Sequence, residues 1–256
     1  MNPSSICKKL IIPISFLSTG YIFYNPLMEK ISHSIIEHNQ NYLYRKMPKR
    51  IFLVCHGESM ANLNKRLNEK IPDNRVTLTD KGHEEAKILG KNIRKIIHNE
   101  SIKFYVSTHL RARQTYSHIL ESFKHNKKLV YYDHRLREQE FGNLHYYDDK
   151  SYFSRVWVGK FYYRFLNGES GADVNLRLIS FYQDLLKDTE FSKEKYDNYI
   201  IIFHSIVMRL MLRYLTDMTI EDCQQLKNPL NFGFWILEKD FKNRKYFLKN
   251  QPEYYT

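Results

Sequence analysis

The amino-acid sequence predicts an α/β fold: three layers, α/β/α, around a mostly parallel central sheet. Short apolar runs of strand length alternate with stretches of helical periodicity, the pattern of strands joined by helical crossovers. Several of those runs are apolar at consecutive positions, as strands buried on both faces require. The length, 256 residues, suits one good-sized α/β domain with a short extension.

The elements follow in order. Residues 51–55 form the first apolar run, fit for a buried parallel strand. Thr79 offers a helix cap. Ala86, Leu89, Ile93 and Ile96 then recur at helical spacing, with Glu84 and Glu85 suited to the positive N-terminal end. Residues 104–106 read as a second strand, followed by a helix over about 111–123 and a third strand over 129–132. Val174, Leu178, Phe181 and Leu185 mark another helix face. The run 199–203 is a strand leading straight into His204 and a helix holding Ile206, Val207, Leu210 and Met211. Residues 232–237 and 245–248 close the sheet, and no internal repeat or low-complexity tract interrupts the pattern.

Composition narrows the partners. The formal net charge of +12 favours anionic ones, although a solvated basic surface explains the same number. No Arg/Lys stripe with interleaved aromatics stands out, so nucleic acid is not expected. Cys7, Cys55 and Cys223 are widely separated and have no ligand-like spacing to the histidines, which argues against disulfides and against a metal site. No cofactor is expected.

Three segments are expected: an apolar N-terminal segment over 1–28, a linker over 29–48, and the folded domain over 49–256. Lys8 and Lys9 precede an apolar run over 10–24 that continues to Met28. Its length suits a signal-peptide core or signal anchor, and with no small-x-small cleavage site after it, an uncleaved anchor is the expectation. The alternative is a buried amphipathic segment. Membrane association through residues 10–28, or the secretory pathway, is favoured over a cytoplasmic placement. Basic residues flank the run on both sides, so charge does not orient it.

His56 and His204 each follow a predicted strand, at the carboxyl end where open α/β sheets bind ligands. Behind each comes a turn or helix start whose free N–H groups suit an anion. One histidine in such a place is usually structural; two in matching places point to a phosphate pocket.

The residues around them resemble the histidine phosphatases, the superfamily that includes the cofactor-dependent phosphoglycerate mutases. His56-Gly57-Glu58-Ser59 with Asn62 looks like its opening motif, and Pro72-Asp73, Leu78-Thr79 and Gly82 follow in order. Ser107 and Leu110-Arg111-Ala112-Arg113-Gln114-Thr115 resemble its second motif. The stretches 136–143 and 168–174 look most like the broad-range phosphatase branch of plants, fungi and protists. His204 with Arg209 resembles the last motif.

The resemblance implies a phosphoglycerate mutase-like fold and a phosphomonoester hydrolase acting on a phosphorylated substrate. It makes His56 the nucleophile, Arg111 and Asn62 phosphate ligands, His204 a protonated stabiliser of charge, and Glu138 the general acid and then base. Arg113 and Arg209 are secondary candidates, Arg209 for a structural ion pair. Two positions depart from the pattern. Cys55 stands where the family has an arginine, and losing one such donor costs about 10²–10³ in rate. Ser205 replaces a glycine and brings a hydroxyl donor to the phosphate. Cys55 is not itself expected to be a nucleophile, because no arginine closes a loop behind it. The alternatives are a catalytically inactive relative that binds a phosphate ligand or partner, and a phosphoglycerate mutase.

Overall fold

The computed structural model describes residues 42–250 except 65, 66, 68, 69, 143–153, 156, 160, 217, 227–232 and 244. Six strands form one sheet: β1 (Arg50–Cys55), β2 (Ile102–Ser107), β3 (Lys128–Asp133), β4 (Asn198–Phe203), β5 (Phe234–Asp240) and β6 (Lys245–Leu248), in the order β3-β2-β4-β1-β5-β6. The first four strands are parallel, and β5 and β6 add an antiparallel edge. Helices among the described residues include α1 (Met60–Leu63), α2 (Asp80–Ile97), α3 (Leu110–Glu121), α4 (Gly171–Phe191), α5 (Ser205–Leu215) and α6 (Ile220–Gln225).

The twofold alternation of side chains along each strand divides the core. Phe52, Val54, Phe104, Val106, Ile200 and Ile202 pack with Leu89 and Ile93 of α2 and with Ala112 and Ile119 of α3. Ile51, Leu53, Tyr105, Ile201 and Phe203 face the other way, against Val174, Leu178 and Phe181 of α4 and Val207 and Met211 of α5. Strands covered on both faces have no solvent side, which is why their sequences lack polar alternation. The α/β/α expectation is therefore met.

Local chemistry sets the helix starts. Thr79 Oγ1 accepts from the Gly82 amide at 3.0 Å, and Ser170 and Asp173 form a reciprocal capping box on α4. Gly82 is needed for another reason: a Cβ there would lie 2.0 Å from the Glu58 carbonyl oxygen, so only glycine lets α2 approach the loop behind His56.

The element bounds shift slightly. The helix expected over 111–123 ends at Glu121, leaving Phe123 buried beyond it. The strand expected over 232–237 is described from Phe234 and runs on to Asp240, paired with both β1 and β6. At the end of the stretch read as a linker, Tyr44 and Met47 pack on the α4–α5 side of the core. The apolar segment 10–28 lies outside the described residues, among which no helix is long and apolar enough to cross a membrane.

Candidate active site

Strand register builds the site. β1 and β4 are adjacent and parallel with Cys55 opposite Phe203, so the residues that follow, His56 and His204, emerge side by side. Their ring centroids are 5.1 Å apart. β2 flanks β4 and contributes Ser107, whose hydroxyl lies 2.9 Å from His204 Nε2. The chain then turns into α3 through His109, whose ring centroid is 5.0 Å from that of His204, and brings in Arg111.

His56 Nδ1 lies 2.7 Å from the Gly57 carbonyl oxygen. A carbonyl only accepts, so Nδ1 carries the hydrogen and Nε2 keeps its lone pair. Arg111 Nε donates to that lone pair at 3.2 Å. Burial, reinforced by the Arg111 charge, lowers the His56 pKa to about 3, so the ring is neutral at physiological pH. His204 is wholly buried, and its pKa is likewise pushed well down by burial and then by Arg111. The protonated His204 of the expectation is one held beside a phosphate: without a compensating anion a charged ring there is disfavoured, and the charge of a phosphate would shift the balance back.

Glu138 closes the pocket from a loop behind the short 3-10 turn His134–Leu136. Its Oε2 is 3.8 Å from His204 Nδ1, a buried nitrogen with no hydrogen-bond partner. Burial raises the Glu138 pKa, with Arg111 pulling partly the other way, so the carboxyl holds its proton to higher pH than usual. Glu169 organises this loop. It binds Arg137 at 2.6 Å and Arg177 at 3.0 Å, Gln139 Nε2 donates to its carbonyl at 2.8 Å, and Arg177 donates to the Glu138 carbonyl at 3.1 Å.

The remaining expected residues divide. Arg111 is buried in the pocket, with Nη1 and Nη2 each 3.0 Å from a carboxylate oxygen of Asp73. Asn62 is exposed on α1, its Oδ1 taking hydrogen bonds from the Ser59 amide and hydroxyl at 2.8 Å, which leaves its NH₂ as the remaining donor. Ser205 begins α5 with its hydroxyl 3.5 Å from Cys55 Sγ. Burial raises the Cys55 pKa to about 11, so it is a neutral thiol. Arg113 is exposed, 5.6 Å from the Tyr132 ring centroid, and does not replace the arginine missing at position 55. Arg209 donates to the Leu226 carbonyl at 3.1 Å, a structural contact.

Sequence reasoning missed two site residues. Asp73 figured only as part of a motif. His109 was passed over although only Thr108 separates it from the end of the second strand and it stands at the N-cap of the helix of Arg111, a setting close to that of His56 and His204. A cleft of 410 Å³ opens beside them, lined by Asp73, Asn74, His109, Arg137, Gln139 and Phe141 among others.

Ligand atoms of His56, Glu138 and His204 also lie within 4.8 Å of one another. This is a metal-like grouping that sequence spacing did not suggest, since the fold assembles it from distant segments. The Arg111 guanidinium against His56 Nε2 makes the place better suited to an anion.

Fold and site together define an α/β protein with a pocket of two histidines, an arginine and a largely buried carboxyl at the carboxyl ends of its parallel strands. The profile of the Histidine phosphatase superfamily (branch 1) matches residues 51–248, and the chain belongs to that family. It is 31% identical, over 76% of its length and 75% of the relative's, to a phosphoglycerate mutase-like protein of Arabidopsis thaliana. It is 24% identical to a broad-range acid phosphatase of Saccharomyces cerevisiae, covering 79% of this chain and 89% of that one. The fold also matches a mycobacterial glucosyl-3-phosphoglycerate phosphatase, with TM-score 0.61 and 18% identity over 79% of this chain and 98% of that one. The family places the chain within phosphatase- and mutase-type chemistry.

Proposed function

We propose that the chain is a phosphomonoester hydrolase working through a phosphohistidine. His56 Nε2 attacks phosphorus while Glu138 gives its proton to the departing oxygen, leaving phosphate on the ring. Glu138, now a carboxylate, takes a proton from water, the resulting oxygen attacks phosphorus, and orthophosphate leaves with His56 restored. Arg111 binds the equatorial oxygens, assisted by the Asn62 amide and the Ser205 hydroxyl, and His204 donates a hydrogen bond to the developing charge.

The observation that carries this reading is geometric: His56 Nδ1 against the Gly57 carbonyl turns an Nε2 lone pair towards Arg111, and Glu138, whose pKa burial raises, lies across the same pocket, 3.8 Å from His204. A neutral nucleophile and a protonated acid must coexist at working pH. Incubating the full chain with a labelled phosphodonor and quenching in base should leave acid-labile phosphate on His56; no label there while phosphate is still released would refute the mechanism.

A second reading is a phosphate-binding relative without turnover. The neutral thiol at position 55 and the bonds from both Arg111 Nη atoms to the Asp73 carboxylate favour it. We also propose that residues 10–28 attach the chain to a membrane. Full-length protein should then remain with membranes through carbonate extraction, and release into the soluble fraction would show that the segment serves another purpose.

A further inference from the structure

Arg111 is the phosphate clamp of the proposed reaction, yet its guanidinium already meets a carboxylate. Nη1 donates to Asp73 Oδ1 at 3.0 Å and to the Asp73 carbonyl at 2.7 Å, and Nη2 donates to Oδ2 at 3.0 Å. Asp73 sits on the short turn Asp73–Arg75 and also lines the cleft that opens from the pocket. His109 Nδ1 is 3.3 Å from Oδ2 but forms no aligned hydrogen bond. An anion entering against His56 Nε2 therefore shares the guanidinium with a fixed negative charge.

From this geometry we infer that Asp73 is a specificity-determining residue, which selects the singly charged, protonated form of the phosphate group and rejects oxyanions that carry no proton. The inference rests on the phosphate-binding reading of the same pocket. A phosphomonoester below its second ionisation, at pH ~6, keeps one P–O–H. That hydroxyl can donate to Asp73 while the unprotonated oxygens accept from Arg111. The dianion has no such donor and meets the carboxylate as a like charge. Sulfate has the same tetrahedral shape but no proton, so it meets the same penalty at any ordinary pH. Asp73 is itself ionised throughout: burial alone would raise its pKa, but His109 and Arg111 bring it to about 2.

Other groups near Asp73 can titrate or carry charge: His109 and Arg111 from the start of α3, His56 from the end of β1, and Glu138 from the loop opposite. All remain in an Asp73→Asn chain, so the difference between that variant and the wild type isolates Asp73.

The test is calorimetric titration of the full chain with inorganic phosphate and, separately, with sulfate, between about pH 5.5 and pH 8. The wild type should bind phosphate at acidic pH roughly 10⁴-fold more tightly than sulfate, as sites built around a ligand hydroxyl reject the analogue lacking it. Inorganic phosphate keeps one P–O–H even as the dianion, so this preference over sulfate should persist to the top of the range. Methylphosphonate, titrated in parallel, loses its only P–O–H at its second ionisation, as a phosphomonoester does, and should bind more weakly as the pH rises. Asp73→Asn should bring phosphate and sulfate within about tenfold of each other, chiefly by strengthening sulfate, and flatten the pH dependence of methylphosphonate. Asp73→Ala, with thermal melting recorded for both variants, shows whether the change follows the charge or a disturbed loop; equal selectivity loss in both, at melting points near wild type, is the expected result. Comparable binding of both anions by the wild type, or discrimination retained without Asp73, would overturn the role of Asp73 alone. Binding of neither anion to the wild type would overturn the phosphate reading and this inference with it.

Discussion

The two ends of the parallel strands carry similar residues and use them differently. At the amino ends, Arg50 of β1 and Asn198 of β4 converge on Glu100, at 2.6 and 2.9 Å, with Lys49 adding a contact at 2.8 Å. Nearby, the buried Lys103 Nζ meets Asp188 and sits over the rings of Tyr131 at 5.0 Å and Tyr105 at 5.7 Å. Each charge there has a fixed counterpart. At the carboxyl ends, His204 Nδ1 and Gln139 Oε1 are buried without hydrogen-bond partners, and a thiol stands at the family's arginine position. Unmet hydrogen-bonding capacity in a buried site costs stability. Such capacity exists at the amino ends too, at Asn126 Oδ1 beside Glu100. At the carboxyl ends, however, it gathers with two histidines, Arg111 and Glu138 around one pocket, and that grouping marks the end as the place for a ligand.

Substitutions at the two ends should therefore separate chemistry from stability. The largest effect is expected from His56→Ala, which should abolish turnover of any phosphomonoester with circular dichroism unchanged. Full activity in that variant would remove the distinction between the ends. Glu138→Gln should slow substrates with poor leaving groups by ~10²–10⁴ while sparing activated aryl phosphates, which need little protonation. Equal losses on both kinds of substrate would speak against an acid role.

Cys55→Arg should raise phosphatase activity by about 10–10³-fold, the worth of a restored charge donor. No gain, with phosphate still bound by the wild type, would favour the reading without turnover. Overpacking beside Ser205 is the risk in that variant, so its melting temperature belongs beside its rate.

The smallest effects concern stability. Glu100→Gln should cost about 1–3 kcal/mol in denaturant unfolding, the scale of hydrogen bonds to charged groups, with kcat/KM unaltered. Acid should also separate the ends. The buried His56 and His204 have lowered pKa values, so the unfolded chain binds more protons than the folded one below the ordinary histidine value of 6.5, down to about 3 for His56. Stability should accordingly fall with acidification across that window. Glu100, brought to about 2 by its cationic neighbours against the upward pull of burial, contributes stability above its ordinary value of 4.5 that is lost only as pH falls through the folded value. Glu138, with its raised pKa, acts in the opposite sense to the histidines. Melting curves of His204→Gln should be flatter than wild type between about pH 6.5 and 5, and those of Glu100→Gln only below about pH 4.5.

The α/β class, the strands and most helix faces were legible in the sequence because burial on both sides of a strand and the 3.6-residue period of a helix leave local signatures. His56 and His204 were legible too, since a strand end is a local event, and the ordered motifs supplied Arg111 and Glu138. The rest depended on contacts between distant segments. Nothing near Asp73 in the chain indicates that it meets Arg111, nor could His109 be placed against His204 before the register of β2, β4 and β1 was known. Protonation states were equally out of reach: only the fold shows that His204 is wholly buried near the Arg111 guanidinium, which lowers its pKa and makes a protonated ring depend on a bound anion. Periodicity is written along the chain, whereas electrostatics and partnership are set by burial and distance, and only the folded arrangement determines those.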